Sequence, residues 1–171
     1  MAGNIPNRPK EMQDRVAIAI VASLYHDVYV SGMLEAASEE IQQIAPNSSI
    51  TVYRVPGAFE IPVTVEMALR HSGPDAVMAL GVVIRGETEH ADLVAASVTD
   101  ALQQMAVRHV VPVIHEVLLL DNEEQAEERC LGVTINRGTE AARTTLNMVQ
   151  LFKKMRQAMG VSRPSTDFNE D

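Results

Sequence analysis

The stretch that decides the fold is Ala79-Leu80-Gly81-Val82-Val83-Ile84-Arg85-Gly86-Glu87-Thr88-Glu89-His90-Ala91-Asp92. It starts as an apolar, β-branched run, which is typical of a buried strand. It breaks at Gly86 into a short polar loop and then enters a segment with helical spacing. Open α/β proteins bind ligands where a strand runs into such a loop. The unpaired N–H groups and the dipole of the helix N-terminus favour an anion there, so we expect an anion site in this loop.

The rest of the chain repeats the alternation of strand and helix. Besides Ala76–Ile84, strands are predicted at 16–22, 50–55 and 110–120. Helices are predicted from apolar residues at helical spacing between Met33 and Ile44, over 59–71, after the loop through Met105, from the cap at Asp121-Asn122 to Leu131, and over 139–159. This order predicts an α/β fold with a four-stranded parallel sheet flanked by helices on both faces.

The domain boundaries follow from where the alternation starts and ends. Residues 15–160 are predicted to form one α/β domain, and 161–171 a polar, mobile tail. Residues 1–14 contain Pro6 and Pro9 and show neither a helical nor a strand period. A disordered tail is the favoured interpretation of this arm, and an extended arm that docks on a neighbouring subunit is the alternative.

Composition excludes several classes of function. The chain has 171 residues, 46% of them apolar, and a formal net charge of -9, which disfavours binding to duplex nucleic acid. Its single cysteine allows no intramolecular disulfide. The first fourteen residues lack the apolar core of a secretory signal, and no apolar run reaches the ~20 residues of a membrane helix. A cytoplasmic location without membrane contact is therefore expected.

Parallel strands present their carboxyl ends at one edge of the sheet. We expect four polar segments to meet there, namely Tyr25-His26, 57–60, 85–90 and the segment from His115 onward. Three histidines (His26, His90 and His115) could suggest zinc, but neither an H-x-x-x-H nor an H-x-H pair is present, so no metal site is predicted. His71 and His109 end helices and are expected at the surface.

Two residues have both a functional and an ordinary interpretation. His90 can exchange a proton near neutral pH, as a general acid or base must, but an exposed loop histidine is common. Arg129 could clamp an oxyanion. Its neighbours Glu127 and Glu128 favour a solvated charged face instead. Arg85 and Arg137 are the other cations that could reach an anion.

Three motifs together resemble the 6,7-dimethyl-8-ribityllumazine synthase family of riboflavin biosynthesis. The first, Val55-Pro56-Gly57-Ala58-Phe59-Glu60-Ile61-Pro62, is similar to V-P-G-A-x-E-I/V-P. The second, Gly81-Val82-Val83-Ile84-Arg85-Gly86-Glu87-Thr88-Glu89-His90, is similar to G-x-V-I-R-G-x-T-x-H. The third, Val111-Pro112-Val113-Ile114 followed by 122–129, is similar to P-V-I and then E-Q-A-x-x-R. Their order and spacing agree with the family from about Val16 to Phe152.

The resemblance implies a three-layer flavodoxin-like fold and active sites shared between adjacent subunits of a homopentamer. Twelve pentamers can assemble into an icosahedral shell, and riboflavin synthase is a possible partner. The implied reaction condenses 5-amino-6-(D-ribitylamino)uracil with 3,4-dihydroxy-2-butanone 4-phosphate. An imine forms, phosphate leaves, and the ring closes with loss of water, without metal or organic cofactor. A cage-forming or flavin-binding paralogue with little catalysis is the alternative.

The resemblance also implies roles for individual residues. His90 takes the place of the proton-transfer histidine. Arg129, reached from the neighbouring subunit, would hold the phosphate together with the loop residues Gly86, Glu87 and Thr88. The remaining substrate-binding positions are the turn residues Gly57, Ala58, Phe59 and Glu60, the strand residues Val82, Val83 and Ile84, and Tyr25, His26, His115 and Glu128.

Four positions depart from the family pattern. Tyr25-His26 stands where Phe-Asn is usual, and His115 stands where many members have Phe. In the segment 131–138, Val133 replaces a lysine near the phosphate site, whereas Arg137 keeps a cation at the other lysine position. The segment has no extra residues, which favours the shell over the free pentamer.

Overall fold

The computed structural model describes residues 6–162 and contains one parallel sheet of four strands. The strands are β1 (Ala17–Ser23), β2 (Ser49–Val55), β3 (Ala76–Ile84) and β4 (Val113–Leu120), in the order β2-β1-β3-β4. The predicted fold class is confirmed. The prediction for β3 is correct at both ends, and those for β1 and β2 are correct to within one residue.

Five helices cover both faces of the sheet. They are α1 (Asp27–Ile44), α2 (Ile61–His71), α3 (His90–His109), α4 (Glu123–Cys130) and α5 (Arg137–Met159), and a 3-10 turn, Ala58–Glu60, precedes α2. Helices α1, α4 and α5 pack on one face with Ile18 and Ile20. Helices α2 and α3 pack on the other face with Ala19 and Val21. Because side chains alternate along a strand, a strand that is buried on both faces is apolar along its length, as residues 17–22 of β1 are.

Asparagine side chains begin the last two helices. The Asn122 side chain accepts a hydrogen bond from the N–H of Gln125, which confirms the predicted cap of α4. The Asn136 side chain accepts from the N–H groups of Gly138 and Thr139, so α5 begins at Arg137 rather than at Thr139. At Gly138 a Cβ atom would lie 2.0 Å from the carbonyl oxygen of Met33. Only glycine therefore lets α5 approach the backbone of α1 this closely.

The start of β4 differs from the prediction. The sequence predicts that the strand begins at Val110. Instead, Val110 ends α3 in a left-handed conformation, with φ 51°, and pairing with β3 begins at Val113. The chain needs these residues to turn from the helix into the sheet, and this requirement outweighs their strand propensity.

Residues 6–14 are packed on the domain, which contradicts the favoured interpretation of a disordered tail for this part of the arm, and residues 1–5 lie outside the described residues. Met12 is 5% exposed in the core, and its N–H donates to the carbonyl oxygen of Ile44. Arg8 pairs with Glu40 at 2.9 Å, and Asn7 accepts from the Asn147 side chain. The described part of the arm therefore packs on α1 and α5 of its own chain. Of the predicted tail at 161–171, residues 163–171 lie outside the described residues.

His109 is buried, which contradicts its predicted place at the surface. Its side chain is 4% exposed, and its Nε2 lies 2.9 Å from Oε2 of Glu66 on α2. A partner 43 residues earlier in the sequence makes this burial possible, since a polar ring can leave water only when it finds a hydrogen-bond partner. His71 is exposed, as predicted.

Cys130 is the only cysteine in the sequence and is fully buried at the end of α4. Burial raises the pKa of its thiol to about 11. None of the helices in residues 6–162 is long and apolar enough to span a bilayer.

Candidate active site

A cavity of about 400 Å³ opens at the carboxyl edge of the sheet. Three of the four predicted polar segments meet there: the turn after β1, the turn after β2, and the loop between β3 and α3. The residues that line the cavity are Tyr25, His26, Gly57, Ala58, Phe59, Glu60, Val82, Val83, Ile84, Gly86, Thr88, His90, Ala91 and Val94. Apolar walls with a few polar groups are typical of a small-molecule site.

Hydrogen bonds between two turns place Tyr25 and His26 at the cavity. The N–H of Leu24 donates to Val55 O at 2.7 Å, and the N–H of Tyr25 donates to Pro56 O at 3.1 Å. His26 adopts a left-handed conformation, with φ 56°, and its carbonyl accepts from the first turn of α1. The ring centroids of Tyr25 and His26 are 4.7 Å apart in an edge-to-face arrangement. This pair therefore presents a fixed aromatic wall.

Two aromatic side chains remain exposed at the cavity. Tyr25 is 69% exposed and Phe59 is 64% exposed. Phe59 lies in the 3-10 turn that follows β2, one residue before Glu60. Large apolar rings left in water mark a surface that a ligand or another chain covers. We infer that the cavity is open on this side until such a cover is present.

The loop after β3 brings His90 to the cavity as the first residue of α3. Glu89 occupies the N-cap position, and its side chain makes no capping hydrogen bond. The first N–H groups of α3 therefore lack the usual side-chain acceptor, and the helix dipole favours an anion beside them. Gly86 and Thr88 line the same cavity. Glu87 lies between them and is exposed.

The three candidate arginines have different partners. Arg85 pairs with Asp92 and Asp121, and Arg137 pairs with Glu116 at 3.3 Å and Glu140 at 2.7 Å. Arg129 is exposed on α4 and has no carboxylate within ion-pair distance among residues 6–162. Of these three cations, Arg129 is thus the one whose charge is available to an anion.

Three predicted site residues lie away from the cavity of their own chain. Glu128 and Arg129 are exposed on α4, a helix that packs on the α1 and α5 face of the sheet. His115 was expected at the carboxyl edge, and this expectation is wrong. It is the third residue of β4, so it lies near the opposite end of the strand. β4 is an edge strand of the sheet. His115 lines a second cavity, of about 550 Å³.

His115 is held by α3. Its Nε2 lies 2.9 Å from Oγ1 of Thr99, and that hydroxyl donates to the carbonyl oxygen of Ala95 at 2.7 Å. Because a hydroxyl has only one proton, Nε2 of His115 must be the donor to Thr99. Burial lowers the pKa of His115 and favours the neutral ring.

Two residues of the first cavity and a titratable residue of the second were missed in the prediction from sequence. Ala91 and Val94 line the first cavity, and the helical spacing of 90, 91 and 94 could have identified them. Glu116 lines the second cavity beside Arg137. Burial raises the pKa of Glu116 to about 7, and no sequence pattern indicated this. Within residues 6–162, no three His, Cys, Asp or Glu side chains are grouped as metal ligands would be.

Comparisons with known proteins identify the family of this chain. Residues 15–153 match the family model for 6,7-dimethyl-8-ribityllumazine synthase. A protein of that name from Chlorobium phaeobacteroides is 39% identical over 137 residues, which is 80% of this chain and 88% of the relative. One from Pyrococcus furiosus is 38% identical over 138 residues, 81% of this chain and 86% of the relative. One from Leuconostoc mesenteroides is 33% identical over 145 residues, which is 84% of this chain and 93% of the relative. The chain therefore belongs to the 6,7-dimethyl-8-ribityllumazine synthase family.

Proposed function

We propose that this protein condenses 5-amino-6-(D-ribitylamino)uracil with 3,4-dihydroxy-2-butanone 4-phosphate to give 6,7-dimethyl-8-ribityllumazine, phosphate and water. This is the penultimate step of riboflavin biosynthesis. The observation that carries the proposal is the cavity at the carboxyl edge. It combines apolar strand ends, one carboxylate, an uncapped helix N-terminus and a histidine within a single chain of this family.

The chemistry of the cavity walls suggests how the two substrates bind. Val82, Val83 and Ile84 end β3 and would meet the edge of the pyrimidine. The carboxylate of Glu60 would accept hydrogen bonds from the ribityl hydroxyls, and Tyr25 would stack on the ring. The phosphate of the second substrate would take the backbone N–H groups of the loop at Gly86, Glu87 and Thr88, beside the uncapped N-terminus of α3, because these donors and the helix dipole favour an anion.

Orientation and proton transfer would carry the reaction. The 5-amino group adds to the butanone carbonyl, and water leaves as the imine forms. Proton loss from the adjacent, hydroxyl-bearing carbon then expels the phosphate and leaves an enol, which becomes a ketone. The ribitylamino nitrogen adds to this ketone, and loss of a second water closes the ring. His90 is the titratable group beside the phosphate loop, so it would move these protons, an effect of typically ~10²–10⁴-fold. Holding the two reactants together supplies much of the rest.

The direct test is turnover. Purified protein is mixed with both substrates, and formation of the lumazine is followed optically against a blank without protein. We expect product to form faster than in the blank. A rate equal to the spontaneous rate contradicts the proposal and favours a binding paralogue.

The site is completed, in this proposal, by a neighbouring subunit of a homopentamer. Arg129, Glu128 and His115 do not line the cavity of their own chain, and the neighbour would supply them. Exposed apolar residues on α2 and α3 support such an interface: Val63, Met67, Leu93 and Val107. The ungapped segment 131–138 favours assembly of pentamers into a shell. Sedimentation velocity distinguishes the two sizes.

Two further parts of the proposal concern the cell. A cytoplasmic location is proposed from membership of this family, and fractionation of cells with an antibody to the protein tests it. Riboflavin synthase, which would consume the product, is the proposed partner. Co-sedimentation of the two purified proteins tests that association.

Val133→Lys should improve binding of the phosphate substrate. Val133 is fully exposed in the link between α4 and α5, at a position where the family resemblance implies a lysine near the phosphate. One added surface cation should lower the KM of the butanone phosphate by about 3-fold at low salt. Steady-state kinetics measures this. Val133→Glu is the matched control and should raise the same KM. Equal KM values in the two variants would remove this position from the site.

A further inference from the structure

The loop between β3 and α3 is held at its start by one side chain. The Arg85 guanidinium donates from Nε and Nη2 to Oδ1 of Asp92 at 3.2 and 2.9 Å, and from Nη1 to Asp121. Its backbone N–H donates to the carbonyl oxygen of Leu120 at 2.9 Å. Arg85 thus joins the end of β3 to the first turn of α3 and to the end of β4.

The rest of the loop has few other attachments. Among residues 6–162, the side chains of 86–90 form no hydrogen bond, and Gly86 has no atom within 4 Å of the position of a Cβ. These residues are exposed, and they include the donors that the phosphate would need. The position of the loop therefore depends on the two pairs that Arg85 makes.

The charge of Arg85 is already matched by its partners. The hydrogen bonds that Arg85 donates to Asp92 and then to Asp121 raise its pKa, and the hydrogen bond from Arg85 is the main cause of the lowered pKa of Asp121. A phosphate that bound this guanidinium would have to displace two carboxylates. Because phosphate and carboxylates are all negatively charged, they would also repel one another.

We propose that Arg85 is a positioning residue, which sets the geometry of the phosphate loop through Asp92 and Asp121 and does not itself bind the phosphate. This inference rests on the proposed function. It assigns to Arg85 a different role from the direct contact with an anion that the sequence suggested. Exposed ion pairs contribute little to stability, so loss of Arg85 should change the loop far more than the fold.

Inorganic phosphate is the probe that separates positioning from direct contact. Calorimetry gives its Kd for wild type, Arg85→Ala, Arg85→Lys and Asp121→Asn, and kinetics gives the KM of each substrate. If Arg85 is a positioning residue, Arg85→Ala and Asp121→Asn each raise the Kd of inorganic phosphate and the KM of the butanone phosphate by about 10-fold. The double variant Arg85→Ala/Asp121→Asn should bind phosphate no more weakly than Arg85→Ala, because the two residues act through one contact. Arg85→Lys should recover only part of the phosphate affinity, because a lysine has a single ammonium group to pair with two carboxylates.

Two other readouts exclude a merely structural role. The melting temperature should change by no more than about 3 °C. The KM of the ribitylamino-pyrimidinedione should stay within about 2-fold, since Glu60 lies in a different turn and residues 82–84 are held by pairing with β4. Arg70→Ala is the matched control: it removes an exposed arginine paired with Glu66 on α2, away from the cavity. It should change neither phosphate Kd nor either KM.

The contrary outcomes are distinct. If Arg85→Ala weakens phosphate while Asp121→Asn leaves it unchanged or tighter, Arg85 binds the anion directly and the proposal is wrong. If neither variant changes the phosphate Kd, the loop does not depend on Arg85. Because the phosphate titration needs no turnover, it still tests the proposal on a protein that lacks synthase activity, whereas absence of wild-type activity overturns only the proposed function.

Discussion

A mixture of Arg129→Ala and His90→Ala subunits, refolded together, should be far more active at a subsaturating concentration of the butanone phosphate than either variant alone. His90 lines the cavity of its own chain and Arg129 does not. In a shared site, an Arg129→Ala chain still supplies His90, and a His90→Ala neighbour still supplies Arg129. With random assembly of equal amounts, about one quarter of the sites combine the two intact halves. The mixture should therefore regain about a quarter of wild-type activity.

The single variants should fail in different ways. Losing a guanidinium from a phosphate typically costs about 2–4 kcal/mol, so Arg129→Ala should raise the KM of the butanone phosphate ~30- to 1000-fold. His90→Ala should lower kcat ~10²–10⁴-fold, with less change in that KM. Equal kinetics of Arg129→Ala and wild type would show that Arg129 is a solvated surface charge.

A second mixture serves as the control. Glu60 and His90 line the same cavity, so every site built from Glu60→Gln and His90→Ala chains has a defect. Unfolding and refolding this pair together should restore nothing. If the activity of each mixture is only the average of its two component variants, no site combines residues from two subunits. The proposal of a shared site is then wrong.

Glu116→Gln should stabilise the protein at pH 8 and have little effect at pH 5. The Glu116 side chain is 12% exposed, and its Oε2 atom is buried without a hydrogen bond. Burial raises its pKa from 4.5 to about 7, although Arg137 opposes the rise. The folded state therefore binds the proton more tightly than the unfolded state.

The sign of the effect follows from this linkage. As the pH rises from 4.5 through about 7, the folded protein must give up a proton that it holds more strongly, so the free energy of unfolding falls. Above that range the cost of the buried charge is about 3 kcal/mol, and glutamine does not incur it. Urea unfolding at pH 5 and pH 8, at one protein concentration, measures the difference.

Glu35→Gln is the control for this experiment, since Glu35 is exposed on α1. It should leave the pH dependence of unfolding unchanged. A Glu116→Gln protein that is less stable than wild type at pH 8 would contradict the prediction. That result would mean that the ion pair with Arg137 outweighs the cost of burial.

Local pattern was sufficient for the sheet and for most of the cavity. A strand buried on both faces has to be apolar throughout, so β1 and β3 were evident from composition alone. Parallel strands also have to end at one edge, so the turns at Tyr25 and Gly57 and the loop at Gly86 could be brought together without coordinates.

Two errors share a physical cause, which is contact between distant parts of the chain. His109 is buried by Glu66, and Met12 is buried by α1 and the core, and neither partner is near in sequence. The error at His115 is of another kind. The end of β4 at Leu120 was predicted correctly, and a residue that precedes it within the strand cannot lie at the carboxyl edge of the sheet.

The buried thiol of Cys130 makes the opening of α4 measurable. It is the only thiol in the chain, it is fully buried, and burial raises its pKa to about 11. A maleimide or disulfide reagent should therefore leave the closed protein unmodified and react only when α4 separates from the core. Because Arg129 precedes Cys130 on that helix, the labelling rate reports how firmly the proposed phosphate-binding arginine is held, without any substitution in the chain.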